Sequence, residues 1–196
     1  MKSQTNHDWY HLNGNWNEWQ RLEWKFRIPK GFQPTTKFCH LHQLKAQEGN
    51  NGAPLITIST RCDEDGRNKR VQVIHTGDTR TSGKGVIIDN LPLADFEDEW
   101  IQVETEMHYT HHGTFRIKLT RISDGKVLAD QSFADIDLWR KGATSIRNKF
   151  GIYRSLGRKM QSASDRPDNG LKDESLQLAD FKVYEAHTNP NPQPHD

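Results

Sequence analysis

The chain has 196 residues, enough for one domain with a real core. Its six Trp, eight Phe and four Tyr mark a folded protein despite a hydrophobic content of only 33%. Twenty-seven basic residues against 26 acidic ones leave a net charge of +1, which argues against bulk electrostatic capture of nucleic acid. No apolar run reaches the length of a membrane span, and no export signal opens the chain, although a start at Met1 is compatible with a trimmed mature domain.

Residues 1–18 are polar and rich in Asn, His and Trp, and read as an N-terminal arm. From Trp19 to Ile28 the alternation is clean: Leu22, Trp24, Phe26 and Ile28 on one face, Arg21, Glu23, Lys25 and Arg27 on the other. Pro29 and Gly31 end this strand. The next strand carries Phe38, His40, His42 and Leu44 on one face and Cys39, Leu41, Gln43 and Lys45 on the other, so regular alternation sets two histidines side by side. Gln43 reaches the histidine face only if a bulge re-aims it.

A turn-rich loop, 47–52, leads to a strand with Ile56, Ile58 and Cys62 opposed to Thr57, Ser59 and Arg61. Val71 to His75 continues as strand, and the Gly-, Ser- and Thr-rich stretch 77–85 reads as a surface loop able to cover a groove. Trp100–Tyr109 and the strand through Phe115, Ile117 and Leu119 are joined by a turn at His111-His112-Gly113. Adjacent histidines in a tight turn rarely converge on one ion, so that pair is not read as a metal site. A second hairpin turn falls at 123–126, and 135–139 reads as a short helical or irregular connection. Residues 146–154 and 176–185 are the last strands, separated by a polar loop at 158–172. The tail 187–196 has linker composition.

Many short strands with turn signals and no 3.6-residue period predict an all-β antiparallel sandwich over residues 19–186, with one sheet curved so that its outer face forms a groove. In the strand 146–154, Arg147, Lys149, Gly151 and Tyr153 share a face, with Phe150 and Ile152 on the other. Gly151 either opens room for a ligand or marks a bulge; the sequence leaves both readings standing.

Arg21-Leu22-Glu23, His40-Leu41-His42 and Lys149-Phe150-Gly151-Ile152-Tyr153 resemble, in chain order, the R-x-E, Q-I-H and K-x-G-x-Y motifs of jelly-roll polysaccharide lyases, the group with alginate, glucuronan and heparin lyase I-like enzymes. The resemblance spans about residues 19–185 and implies a concanavalin-like β-jelly roll. It also implies β-elimination on a uronic-acid polysaccharide. By the resemblance Tyr153 is the acid, and the base role is open between Tyr153 and His42, which is alternatively a carboxylate partner. Lys149 and Arg21 bind substrate carboxylates, and Glu23 orients Arg21. His40, which stands where the family has glutamine, is the third catalytic candidate: protonated, it would neutralise a carboxylate, with a charge that depends on pH near neutrality. Arg147 stands where the family has an aromatic residue; Arg147, Arg61 and Gln43 complete the expected substrate contacts. A cofactor-free, secreted or periplasmic monomer acting on an acidic polysaccharide follows from the same likeness, with structural calcium left open.

The alternative is a non-catalytic carbohydrate-binding sandwich, with Trp9, Tyr10, Trp16 and Trp19 stacking on sugars. A sandwich hydrolase is disfavoured, because the consecutive Glu97-Asp98-Glu99 splays to both faces. Cys39 and Cys62 fall near each other if hairpin partners sum to roughly 100; a disulfide there and two buried free thiols are both compatible with the spacing.

Overall fold

The computed structural model describes residues 12–155 and 171–186. Among these residues there are ten strands: β1 (Trp19–Arg27), β2 (Cys39–Gln47), β3 (Ile56–Arg61), β4 (Arg70–His75), β5 (Gly85–Pro92), β6 (Ile101–His108), β7 (Gly113–Arg121), β8 (Val127–Ile136), β9 (Ser145–Arg154) and β10 (Gln177–Ala186). They form two five-stranded sheets, a front sheet in the order β5-β4-β3-β2-β9 and a back sheet in the order β10-β1-β6-β7-β8. Neighbouring strands in both run antiparallel. The expected all-β sandwich is therefore the observed fold.

The period-2 patterns explain which faces meet. Leu22, Trp24 and Phe26 of β1 are fully buried, as are Leu41 and Leu44 of β2, Ile56 and Ile58 of β3, and Val71 and Val73 of β4. These inner faces interdigitate into one core. Truncating Trp24 to Ala there would cost about 3–5 kcal/mol. Beyond β1 the chain passes through Gly31 at φ 70°, a left-handed turn that glycine adopts without strain.

Residues 12–18 are not a free arm. Gly14 and Ile146 exchange backbone hydrogen bonds at 2.7 and 2.8 Å, which ties this segment to β9. A Cβ at Gly14 would sit 1.9 Å from the Tyr109 ring, so the close approach demands glycine. Residues 1–11 and 187–196, most of the polar loop expected at 158–172, and with them Trp9 and Tyr10, lie outside the described residues. Strand β5, which the sequence did not reveal, closes one edge of the front sheet. Cys39 faces Thr60 across the hairpin, and both cysteines are unbridged and buried.

Candidate active site

The side chains of interest lie on β2, β3 and β9. Pairing of β2 with both neighbours shifts register between His40 and His42. Between these matched rungs β3 advances by one residue (Ser59 to Ile58), β2 by two and β9 by three (Tyr153 to Phe150). The bulge reverses the phase of β2 relative to simple alternation. His40 keeps the outer face, whereas His42 turns into the core, only 2% exposed, with its ring 5.3 Å from Trp24 and 4.9 Å from Phe150. The expectation that His40 and His42 share one face is thus corrected. Gln43, which regular alternation would have hidden, joins the outer face opposite Lys149 and Thr57.

The outer face of the front sheet is laid out in rows. One row runs Gln72, Ser59, His40, Tyr153 across β4, β3, β2 and β9. The next runs Ile74, Thr57, Gln43, Lys149, and a third pairs Lys45 with Arg147. His40 and Tyr153 have ring centroids 6.1 Å apart, and Phe38 packs beside both. Tyr153 is 61% exposed.

Hydrogen bonding sets the state of His40. The Ser59 hydroxyl donates to Thr57 Oγ1 at 3.0 Å and so accepts from His40 Nδ1–H at 2.7 Å. That tautomer leaves the lone pair on Nε2. Burial, reinforced by the nearby Arg61 guanidinium, lowers the His40 pKa to about 4. The imidazole is neutral at neutral pH.

Cations dominate the rest of the face. Arg70 is neutralised by Asp63 at 2.9 Å and Asp89 at 3.5 Å. Lys45, Arg61, Arg147 and Lys149 have no carboxylate partner among the described residues, and the Nε atoms of Arg61 and Arg147 are buried without a hydrogen bond there. Burial, with Lys149, Arg147 and Arg140 close by, lowers the Lys45 pKa. Lys45 and Arg147 stand directly opposite each other, an arrangement that costs stability unless an anion bridges it. Lys45, Ser59, Arg70 and Gln72 were not among the sequence candidates. The alternation of Arg70 and Gln72 against Val71 and Val73 held the signal for β4.

Arg21 and Glu23 are elsewhere. Strand β1 belongs to the back sheet, and both residues lie on its outer face, across the whole sandwich from Tyr153. Arg21 contacts Glu23 at 2.6 Å and Glu104 at 3.5 Å, and its guanidinium lies 5.9 Å from the centre of the Tyr184 ring. The three motifs therefore do not converge: the first is separated from the other two because alternation fixes a face but not a sheet.

His42 serves a different network. Its Nε2–H donates to Asn148 Oδ1 at 3.0 Å, and Asn148 Nδ2 donates to Gln20 Oε1 at 3.3 Å. The buried Tyr109 hydroxyl donates to the same oxygen at 2.8 Å. This polar bridge joins the two sheets through the core. Burial lowers the His42 pKa to about 4 against the opposing effect of the Asn148 bond. Gly151 sits at φ 130° with open space where a Cβ would be, so its backbone conformation, not a lack of room, calls for glycine. Of its two readings, the bulge is the one observed.

Three comparisons bear on the fold. A doubly substituted (His→Asn, Tyr→Phe) family 7 alginate lyase in complex with its substrate GGMG superposes with TM-score 0.56 at 10% identity, covering 92% of this chain and 66% of that one. An alginate lyase from Pseudomonas aeruginosa gives TM-score 0.50 at 16% identity over 88% of this chain and 68% of its own. One from Klebsiella pneumoniae gives 0.50 at 14% identity over 88% and 61%. The chain has the jelly-roll fold of polysaccharide lyases. It spans about two thirds of the length of these lyase chains. No family model matches the chain, and no curated protein matches it by sequence.

Proposed function

We propose that the protein is a lyase that cleaves a uronic-acid polysaccharide by β-elimination on the outer face of its front sheet. The observation that carries this reading is a neutral His40 set directly across from the Tyr153 phenol, amid cations that lack carboxylate partners among the described residues. The substituted lyase that holds its substrate carries a His→Asn and a Tyr→Phe change, and this chain sets a histidine beside a tyrosine.

In this reaction a base removes the C5 proton of a uronate. The electron pair forms the C4–C5 double bond as the C4–O4 bond breaks, and O4 leaves with a proton from an acid. The Nε2 lone pair of His40 is suited to take the C5 proton. The Tyr153 hydroxyl is suited to give a proton to O4, and Gln43 and Lys149 lie one row away to hold substrate oxygens. His42 has no access to this face, so its part is to support the sandwich. The same cations suit an acidic polymer as partner, and the lone pair beside a phenol is more than passive sugar binding requires. Of the aromatic residues that would favour a binding module, Trp19 is stacked on His108 at 4.4 Å and Trp16 packs against Trp139 and His111.

The test is incubation with alginate, glucuronan, hyaluronan, pectate and heparinoids, following the ultraviolet absorbance of the unsaturated product. Absorbance that rises with wild type and not with Tyr153→Phe supports the reading. Binding without any such rise would replace it with the binding module.

A further inference from the structure

Elimination from a uronate needs a cation at the carboxylate, because the enediolate formed at C5 places a second negative charge there. Arg21 cannot supply it from the opposite side of the sandwich. Resting on the lyase reading above, we infer that Arg61 is the residue that neutralises the carboxylate of the reacting uronate.

Arg61 ends β3, two residues beyond Ser59, the cross-strand partner of His40, so it is the diagonal neighbour of His40 on the same outer face. Diagonal positions across an antiparallel pair lie about 7–8 Å apart, within reach of a long side chain. Its guanidinium is near enough to His40 to act on the charge of the imidazole. The neighbouring cation, Arg70, has Asp63 and Asp89; Arg61 has no carboxylate, and its buried Nε makes no hydrogen bond among the described residues. A planar, half-buried guanidinium without an anion is an incomplete site for a carboxylate. The cluster of Lys45, Arg147 and Lys149 lies on the other side of the His40–Tyr153 row, along β2 and β9. That leaves Arg61 beside the base, while the three-cation cluster suits the uronates of flanking sugars. The substrate class this favours is a polymer charged at successive sugars rather than one with isolated uronates.

The assignment is tested with wild type, Arg61→Ala, Arg61→Lys and Arg21→Ala on a polyuronate and on its methyl ester, whose carbonyl carries no charge to neutralise. On the acid polymer Arg61→Ala should lose about 10²–10³-fold in kcat, the range for removing one stabilising donor. Arg61→Lys should recover part of that loss, and Arg21→Ala should keep kcat within about twofold. On the methyl ester the Arg61→Ala loss should shrink to a few-fold. A raised KM with unchanged kcat, or equal proportional losses on both polymers, would overturn the assignment while leaving the lyase reading intact. Wild-type protein that cleaves no polyuronate would overturn both.

Discussion

His40 and Tyr153 are direct cross-strand partners on the outer face of β2 and β9, with ring centroids 6.1 Å apart. In the proposed reaction the base and the acid would stand on adjacent strands, held by the sheet itself, without a loop to order.

Tyr153→Phe should unfold at the wild-type temperature, since the exposed hydroxyl makes no core contact, while kcat falls about 10²–10⁴-fold. His40→Ala should be comparably severe, and His40→Gln, which keeps a hydrogen-bonding group near Ser59, should unfold at a temperature closer to wild type. Because the His40 pKa is about 4, kcat/KM of wild type should fall only as pH drops toward 4, not through the range of an ordinary histidine near 6.5. A half-maximal point near 6.5 would argue against His40 as the base.

His42 should report in stability. Its folded pKa of about 4 lies below the unfolded value of 6.5, so below pH 6.5 the unfolded chain takes up a proton that the folded one refuses. Stability from this group is therefore full above pH 6.5 and is lost progressively down to about pH 4, by roughly 3 kcal/mol. Urea unfolding at pH 7.5 and pH 4.5 should show this loss in wild type. His42→Gln should show less of it, although it starts from a lower value at pH 7.5.

Lys45→Gln removes one member of a directly opposed like-charge pair. The gain should be up to about 1 kcal/mol, or about 2 °C in Tm. The same variant should raise KM for an acidic polymer roughly threefold, since it removes one of the cations that have no carboxylate partner among the described residues. Opposite signs in calorimetry and kinetics are the expected signature of a residue held for substrate rather than for the fold.

Thiol titration of the denatured, unreduced protein should find two free thiols per chain, matching the two unbridged cysteines. Cys39 points into the core opposite Thr60, while the Cys62 thiol lies 3.6 Å from the Pro34 carbonyl oxygen. A disulfide, had it formed, would have added about 2–4 kcal/mol in the loop-entropy account.

The strands were legible because apolar residues repeat at period two with Pro, Gly and Asn between them. β1, β6, β7 and β9 need no other signal. Three things were not legible. The alternation of Arg21 and Glu23 is the same whichever sheet β1 joins; that choice is made by pairing with β6 and β10, which is non-local. The extra residue of β2 also leaves no mark, for Leu41 and His42 are ordinary strand residues and the phase change appears only when β3 and β9 are laid beside them. Strand β5 was hidden by the Gly- and Ser-rich loop before it and by its two register breaks with β4. On the candidate face, alternation grouped Tyr153, Lys149 and Arg147 on one side of β9 and set Arg61 with Ser59 on β3, Gln43 joined only conditionally, and His42 was placed on the wrong face.

The bulge in β2 makes the make-up of this surface a matter of counting as well as of chemistry. No substitution between Cys39 and Leu44 can exchange His42 for His40 on the outer face, but removing or adding a single residue there would. Among related chains, equal spacing across this segment should therefore be a better guide to a shared outer face than identity at either histidine, and a one-codon deletion would act as a change in the composition of the candidate site with no residue altered in kind.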